Sequence, residues 1–238
     1  MKVLVSVRTV DEALLAAQGG ADFIDLKEPR DGALGGLPVA TIRTIVQALR
    51  RGGHALPISA TIGDWGPREA TEIAARVEAV GRCDVTYVKV GIERAPEALS
   101  VLDALAASGL PIVPVFIADR GLDFAHVARA CQLAFPGVMV DTADKLAGSL
   151  FDATPRADLQ RFVGVVRQSG AMVGLAGALR LAHLPALLEL DPDFAGFRSA
   201  VCTQDRGSAL DPARLQTLIC ALRVGLAGSA SRERTVSV

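Results

Sequence analysis

The feature that most constrains this chain is an eightfold alternation. Short Val/Ile-rich runs fall at 2–7, 22–27, 56–62, 84–90, 111–118, 137–141, 171–175 and 194–198. Each is followed by a longer Ala/Leu/Arg segment of helical period, at 9–19, 38–51, 67–80, 95–107, 122–134, 155–168, 179–190 and 211–226. Several of these segments open on start signals: Thr9-Val10-Asp11-Glu12, Pro38, Pro67, Pro155 and Asp211-Pro212. Nearly continuous apolar strands alternating with helices predict a parallel sheet covered on both faces. Eight such units close a barrel, and a chain of 238 residues has the usual size for one. An open, doubly wound sheet is the competing arrangement. The count of eight and the even composition favour an α/β, single-domain (β/α)8 TIM barrel over residues 1–228. A polar tail at 229–238 is expected to fray.

Composition narrows the partners. Half the residues are hydrophobic and the formal net charge is -1, so the chain can build a core and has no basic excess for phosphate-backbone binding. No nucleic acid partner is expected. No apolar run reaches the roughly 18 residues of a membrane span, and the N-terminal apolar stretch is interrupted by Arg8. The expectation is a cytoplasmic protein with no membrane partner. Cys83, Cys131, Cys202 and Cys220 are scattered and read as reduced thiols. A homo-oligomer stays open, because oligomeric state is not legible in this sequence.

Lysine is scarce, with 4 Lys against 21 Arg, so the places where it stands carry information. Lys27 ends the second strand, two residues after Asp25, and side chains two apart share a strand face. Lys89 lies near the end of the fourth strand, Asp141 ends the sixth, Lys145 follows in the next loop, and Arg198 ends the eighth. In a TIM barrel these strand ends form the site-bearing face, and alternate strands supply one interior layer. The bland reading is an ion-pair network across the barrel top. Chemistry is favoured because three of the four lysines gather there. An amine can form an imine, whereas a guanidinium is always protonated. An unperturbed lysine is only ~0.04% neutral at pH 7; burial beside a second cation can lower a lysine pKa by ~3 units. Which of Lys27, Lys89 and Lys145 is so affected stays open.

Other residues place limits. His54, His126 and His183 fall away from the expected mouth, so neither a His-based metal site nor a Ser-His-Asp triad is expected. No dinucleotide fingerprint and no Walker lysine are present, and no cofactor is expected. Gly174, Ala176 and Gly177 after the seventh strand, with Arg198 and Ser199 after the eighth, occupy the loops where many barrels hold phosphate. The glycine-rich loop at 28–38 reads equally as ligand cradle or as turns. Trp65, Asp64, Asp119 and Arg120 read equally as pocket wall or as loop anchors.

The runs Asp25-Leu26-Lys27-Glu28-Pro29 with Gly32-Ala33-Leu34-Gly35, then Val88-Lys89-Val90-Gly91, then Asp141-Thr142-Ala143-Asp144-Lys145 resemble the (5-formylfuran-3-yl)methyl phosphate synthases of methanofuran biosynthesis. The resemblance extends along essentially the whole chain. It implies a TIM-barrel lyase that condenses two molecules of glyceraldehyde 3-phosphate, a small-molecule triose phosphate, with loss of phosphate and water. It implies a Schiff base on Lys27 and proton acceptance by Lys89, with Asp25, Asp141 and Lys145 in the same pocket. Another Schiff-base aldolase shares the same lysines, and a non-catalytic sugar-phosphate binding barrel is the alternative from a different class.

Overall fold

A computed structural model of the chain describes residues 1–144 and 147–236, with side chains as far as residue 226. Eight strands form a closed barrel in sequence order. They are β1 (Lys2–Val7), β2 (Phe23–Leu26), β3 (Ile58–Thr61), β4 (Tyr87–Ile92), β5 (Ile112–Ile117), β6 (Gly137–Asp141), β7 (Met172–Leu175) and β8 (Phe194–Phe197). All neighbours pair in parallel, and β8 returns to β1 through Lys2 opposite Phe194 and Val5 opposite Phe197. The TIM barrel expected from the alternation is the fold observed, and the open sheet is excluded.

Helices cover the outside: α1 (Val10–Gln18), α2 (Val39–Arg51), α3 (Ala70–Gly81), α4 (Ala98–Ala107), α5 (Phe124–Gln132), α6 (Leu150–Ala153), α7 (Arg156–Gln168), α8 (Leu184–Leu190) and α9 (Pro212–Val236). Local chemistry sets several starts. The Thr9 side chain accepts from the Glu12 N–H at the head of α1, and Asp123 accepts from the Ala125 N–H at the head of α5. Ser149 and Asp152 form a reciprocal capping box that nucleates the short α6, an element the sequence pattern does not show.

Most elements fall where the pattern puts them; the differences have local causes. Residue 84 does not begin a strand, because Asp84 sits at φ 59° and closes the turn after α3. β4 therefore starts at Tyr87 and runs on through Gly91 and Ile92, which pair with Val115 and Phe116. Leu181–His183 forms a tight turn, so α8 begins only at Leu184 with Pro185 in its first turn. α9 continues to Val236, through most of the segment expected to fray.

Two apolar layers hold the barrel. The larger lies between sheet and helices and includes Ile24, Ile45, Leu102, Val140, Phe162 and Leu218. Fully burying side chains of this size stabilises by roughly 1.5–3 kcal/mol each. The smaller fills the barrel interior with Leu4, Phe23, Val113, Val115, Met139, Ala176 and Phe194, and is topped by Ala33 and Leu34 from the β2–α2 loop. Phe23 and Phe194 stack in a tilted pair with centroids 5.4 Å apart. This plug closes the amino-terminal half of the barrel. The polar positions one step further along the same strand faces are left at the carboxyl-terminal end.

Candidate active site

The register places the polar side chains. Ser6 on β1 pairs across to Asp25 on β2, and Asp25 pairs across to Ser59 on β3. Thr61 on β3 stands opposite Lys89 on β4. Asp25 is consequently ringed. Its Oδ1 accepts from Ser59 Oγ at 2.6 Å and lies 2.9 Å from Lys89 Nζ, while its Oδ2 accepts from Ser6 Oγ at 3.0 Å. Both members of the ion pair are about 3% exposed. Burial pushes the Asp25 carboxyl up. The charges of Lys89 and Lys27 and the Ser59 hydroxyl outweigh it and hold the group below its ordinary value.

Lys27 follows β2 directly. Its N–H donates to Val7 O, which carries the β1–β2 ladder one residue past the strand. Its ammonium donates to Ala33 O at 3.3 Å, under the β2–α2 loop. That loop is tightly folded. The Glu28 N–H donates to Gly35 O, and the buried Thr61 hydroxyl donates to the same carbonyl at 2.9 Å. Gly36 passes so close to Ile62 O and the Gly63 N–H that a Cβ would come within 2.9 Å of both. The glycines of this segment therefore seat the loop, with Leu34 pointing down onto the site.

Asp141 ends β6, is 2% exposed, and accepts from the Thr142 N–H at 2.8 Å. Asp119 supports the segment that follows by accepting from the Ala143 and Asp144 N–H groups. Lys145 lies outside the described residues. Asp25, Lys27, Lys89 and Asp141 line one cavity with Ser6, Leu34, Ala176, Gly177, Ser199 and Arg206. The cavity volume is about 30 Å³, which holds one or two waters and is far smaller than a sugar phosphate. None of the three histidines lines it. Among the described residues no cluster of His, Cys, Asp and Glu is placed to hold a metal ion. Trp65 anchors its own loop by donating to Ile62 O, and Asp64 ties that loop to the Leu34 N–H.

Two residues expected at a phosphate site take other work. Arg198 is buried, and its five N–H donors are all engaged. Nε donates to Arg206 O, Nη1 to Ser6 O and Glu12 Oε2, and Nη2 to Glu12 Oε1 and Ser208 O. A guanidinium has five donors, so none is left for a phosphate. The residue is instead a hub joining β1, α1 and the β8–α9 loop. Gly174 lies inside β7, where a Cβ would come 2.2 Å from the Phe194 ring; it makes room in the interior plug and does not line the cavity. Ala176, Gly177 and Ser199 do line it, as does Arg198 with its donors already engaged. Among the described residues, the backbone N–H groups of Gly177, Ala178 and Ser199 donate to no acceptor in the chain.

Sequence reading missed Ser6, Ser59 and Arg206. The two serines carried a signal, as polar residues within otherwise apolar strands that pair across to Asp25. Arg206 carried none, because it lies in an irregular loop among many arginines.

A closed parallel barrel with lysines and carboxylates buried at the carboxyl ends of its strands defines the class: a TIM-barrel enzyme. The 4-HFC-P synthase family profile matches residues 3–219, and the chain belongs to that family. It is 37% identical to the (5-formylfuran-3-yl)methyl phosphate synthase of Archaeoglobus fulgidus, over 88% of this chain and 94% of that protein. It is 31% identical to the enzyme of the same name from Methanosarcina barkeri, over 92% and 98%. A Methylorubrum extorquens relative is 39% identical over 94% of this chain and 92% of its own length. Among solved structures, phosphoribosyl anthranilate isomerase from Thermus thermophilus superposes with a TM-score of 0.64 at 19% identity, covering 96% of this chain and 99% of that one. Thiamine phosphate pyrophosphorylase from Pyrococcus furiosus gives 0.62 at 15% identity, covering 94% and 96%. These two likenesses concern the fold.

Proposed function

We propose that the chain is a lyase that joins two molecules of glyceraldehyde 3-phosphate into (5-formylfuran-3-yl)methyl phosphate, in methanofuran biosynthesis, through a Schiff base on Lys27. Atom balance between two trioses and the furan releases one phosphate and two waters. The observation that carries the reading is the burial of Lys27, Lys89, Asp25 and Asp141 around one cavity, in a member of this family.

The chemistry follows from the groups present. In its neutral form Lys27 Nζ attacks a triose carbonyl, and protonation and loss of the carbinolamine hydroxyl as water leave an iminium. The iminium is an electron sink that acidifies the neighbouring carbon and permits elimination and carbon–carbon bond formation. Lys89 accepts the proton from that carbon as a neutral amine, its own proton having passed to the Asp25 carboxylate 2.9 Å away. Its partner Asp25 sits between Lys89 and the two serine hydroxyls, so the proton enters a fixed hydrogen-bonded set. Asp141 faces the same cavity and can orient a hydroxyl of the substrate. With Arg198 fully engaged, the triose phosphate is held by the N–H groups of Gly177, Ala178 and Ser199, a backbone anion site of the kind found after the last strands of such barrels. The cavity must widen for the triose to enter, and Leu34 on the β2–α2 loop is the side chain that covers it.

Appearance of the furan aldehyde from glyceraldehyde 3-phosphate, followed by ultraviolet absorbance and product mass, tests the reading. Lys27→Ala is expected to lower the rate at least about 1000-fold, since the imine route is lost. Wild-type turnover to a simple aldol product without furan would replace this reading by the Schiff-base aldolase.

A further inference from the structure

A second, larger cavity lies above the first. It has a volume of about 690 Å³ and is lined by Pro29, Arg30 and Gly32 of the β2–α2 loop, Ala143 and Asp144 after β6, and residues 204–208 of the β8–α9 loop. Among the described residues, Arg206 is the one that lines both cavities. It stands at the neck between the buried lysines and the open space.

The neck is a latch between two loops. Arg206 Nη2 donates to Gly32 O at 2.9 Å, and Arg30 Nη2 donates back to Gly207 O at 3.2 Å. Among the described residues, the Gly32 carbonyl is the only acceptor of the Arg206 guanidinium. Four of its five donors are thus unspent, in contrast to Arg198 alongside. The carboxylates that face it are occupied. Asp141 accepts from the Thr142 N–H, Asp64 from the Leu34 N–H, and Glu28 from the Arg30 N–H with Arg8 3.5 Å away. The Arg206 backbone is also fixed, because its carbonyl accepts from Arg198 Nε.

We propose that Arg206 binds the phosphate of the second triose phosphate in the upper cavity. The proposal rests on the two-triose reading above and goes beyond it by assigning a separate anion site. A phosphate dianion offers the guanidinium a bidentate partner of opposite charge, where the Gly32 carbonyl offers a single neutral oxygen. The dianion displaces Gly32 O, one of the bonds that hold the β2–α2 loop, whose Leu34 covers the buried lysines.

The test is a titration of the intact protein with sn-glycerol 3-phosphate, which keeps the phosphate and cannot form an imine. Wild type is expected to show two sites. Arg206→Ala is expected to weaken one of them at least about 10-fold and leave the other within about 2-fold. Arg206→Lys, which keeps the charge and loses the fork, is expected to fall between. A single site in wild type, unchanged binding in Arg206→Ala, or equal weakening of both sites would overturn the proposal. A wild-type protein that makes no furan aldehyde would instead remove the two-triose reading, and the titration would still decide whether Arg206 holds an anion.

Discussion

Arg198 and Arg206 are eight residues apart and have opposite fates. Arg198 is wholly internal, bidentate to Glu12 at 2.7 and 3.1 Å. A lysine at that position could reach at most three acceptors and would leave part of the Glu12 carboxylate buried without a partner. Arg198→Lys is therefore expected to cost about 3 kcal/mol of stability, read as a lower urea midpoint. Asp25 makes a second prediction at the same scale. Its carboxyl is held below the ordinary value of 3.8, so the charged form favours the folded state. That contribution is fully present above the ordinary value and is lost as pH falls through the lowered one. Unfolding free energy is expected to drop in acid below about pH 4. Asp25→Asn is expected to be about 3–5 kcal/mol less stable at pH 7, because Lys89 loses its buried partner, and to lose its share of that acid slope. An unchanged slope in the variant would show that Asp25 is not the group titrating.

These residues differ in how far the sequence exposed them. Lys27 and Lys89 stood out because lysine is scarce and both fall at strand ends, where strand periodicity fixes the face. The full engagement of Arg198 was hidden, since two of its partners, Ser6 and Glu12, lie 192 and 186 residues away in sequence.

Among elements, the barrel strands were legible because apolar runs of five to eight residues separated by helical periods leave few arrangements. Their ends were less so. The start of β4 depends on the backbone of Asp84, and the short α6 depends on a cap between Ser149 and Asp152; neither belongs to a hydrophobic pattern. Gly174 shows the same limit. Its position suggested a loop glycine near phosphate, whereas the Phe194 ring fills the space its missing side chain leaves. Gly174→Ala is expected to overpack the interior plug and cost about 1–3 kcal/mol. A lowered melting temperature with an unchanged KM for triose phosphate would match that role. An unchanged melting temperature with a raised KM would return Gly174 to the phosphate site.

At the scale of the molecule, the barrel separates stability from chemistry along its axis. Aromatic and aliphatic side chains fill the amino-terminal half, with Phe23 and Phe194 in contact. Charged groups collect at the carboxyl-terminal half, under loops latched by Arg206 and Arg30. No described helix is long and apolar enough to cross a membrane. The central claim is that Lys27 forms an imine with a triose phosphate on the way to a furan. The most direct measurement is incubation with glyceraldehyde 3-phosphate and borohydride followed by peptide mass mapping, beside an unreduced sample scanned for furan absorbance. The account predicts a reduced triose adduct on Lys27, absent from Lys89, with furan aldehyde in the unreduced sample. An adduct on another lysine, or furan formed with Lys27 unmodified, would contradict it.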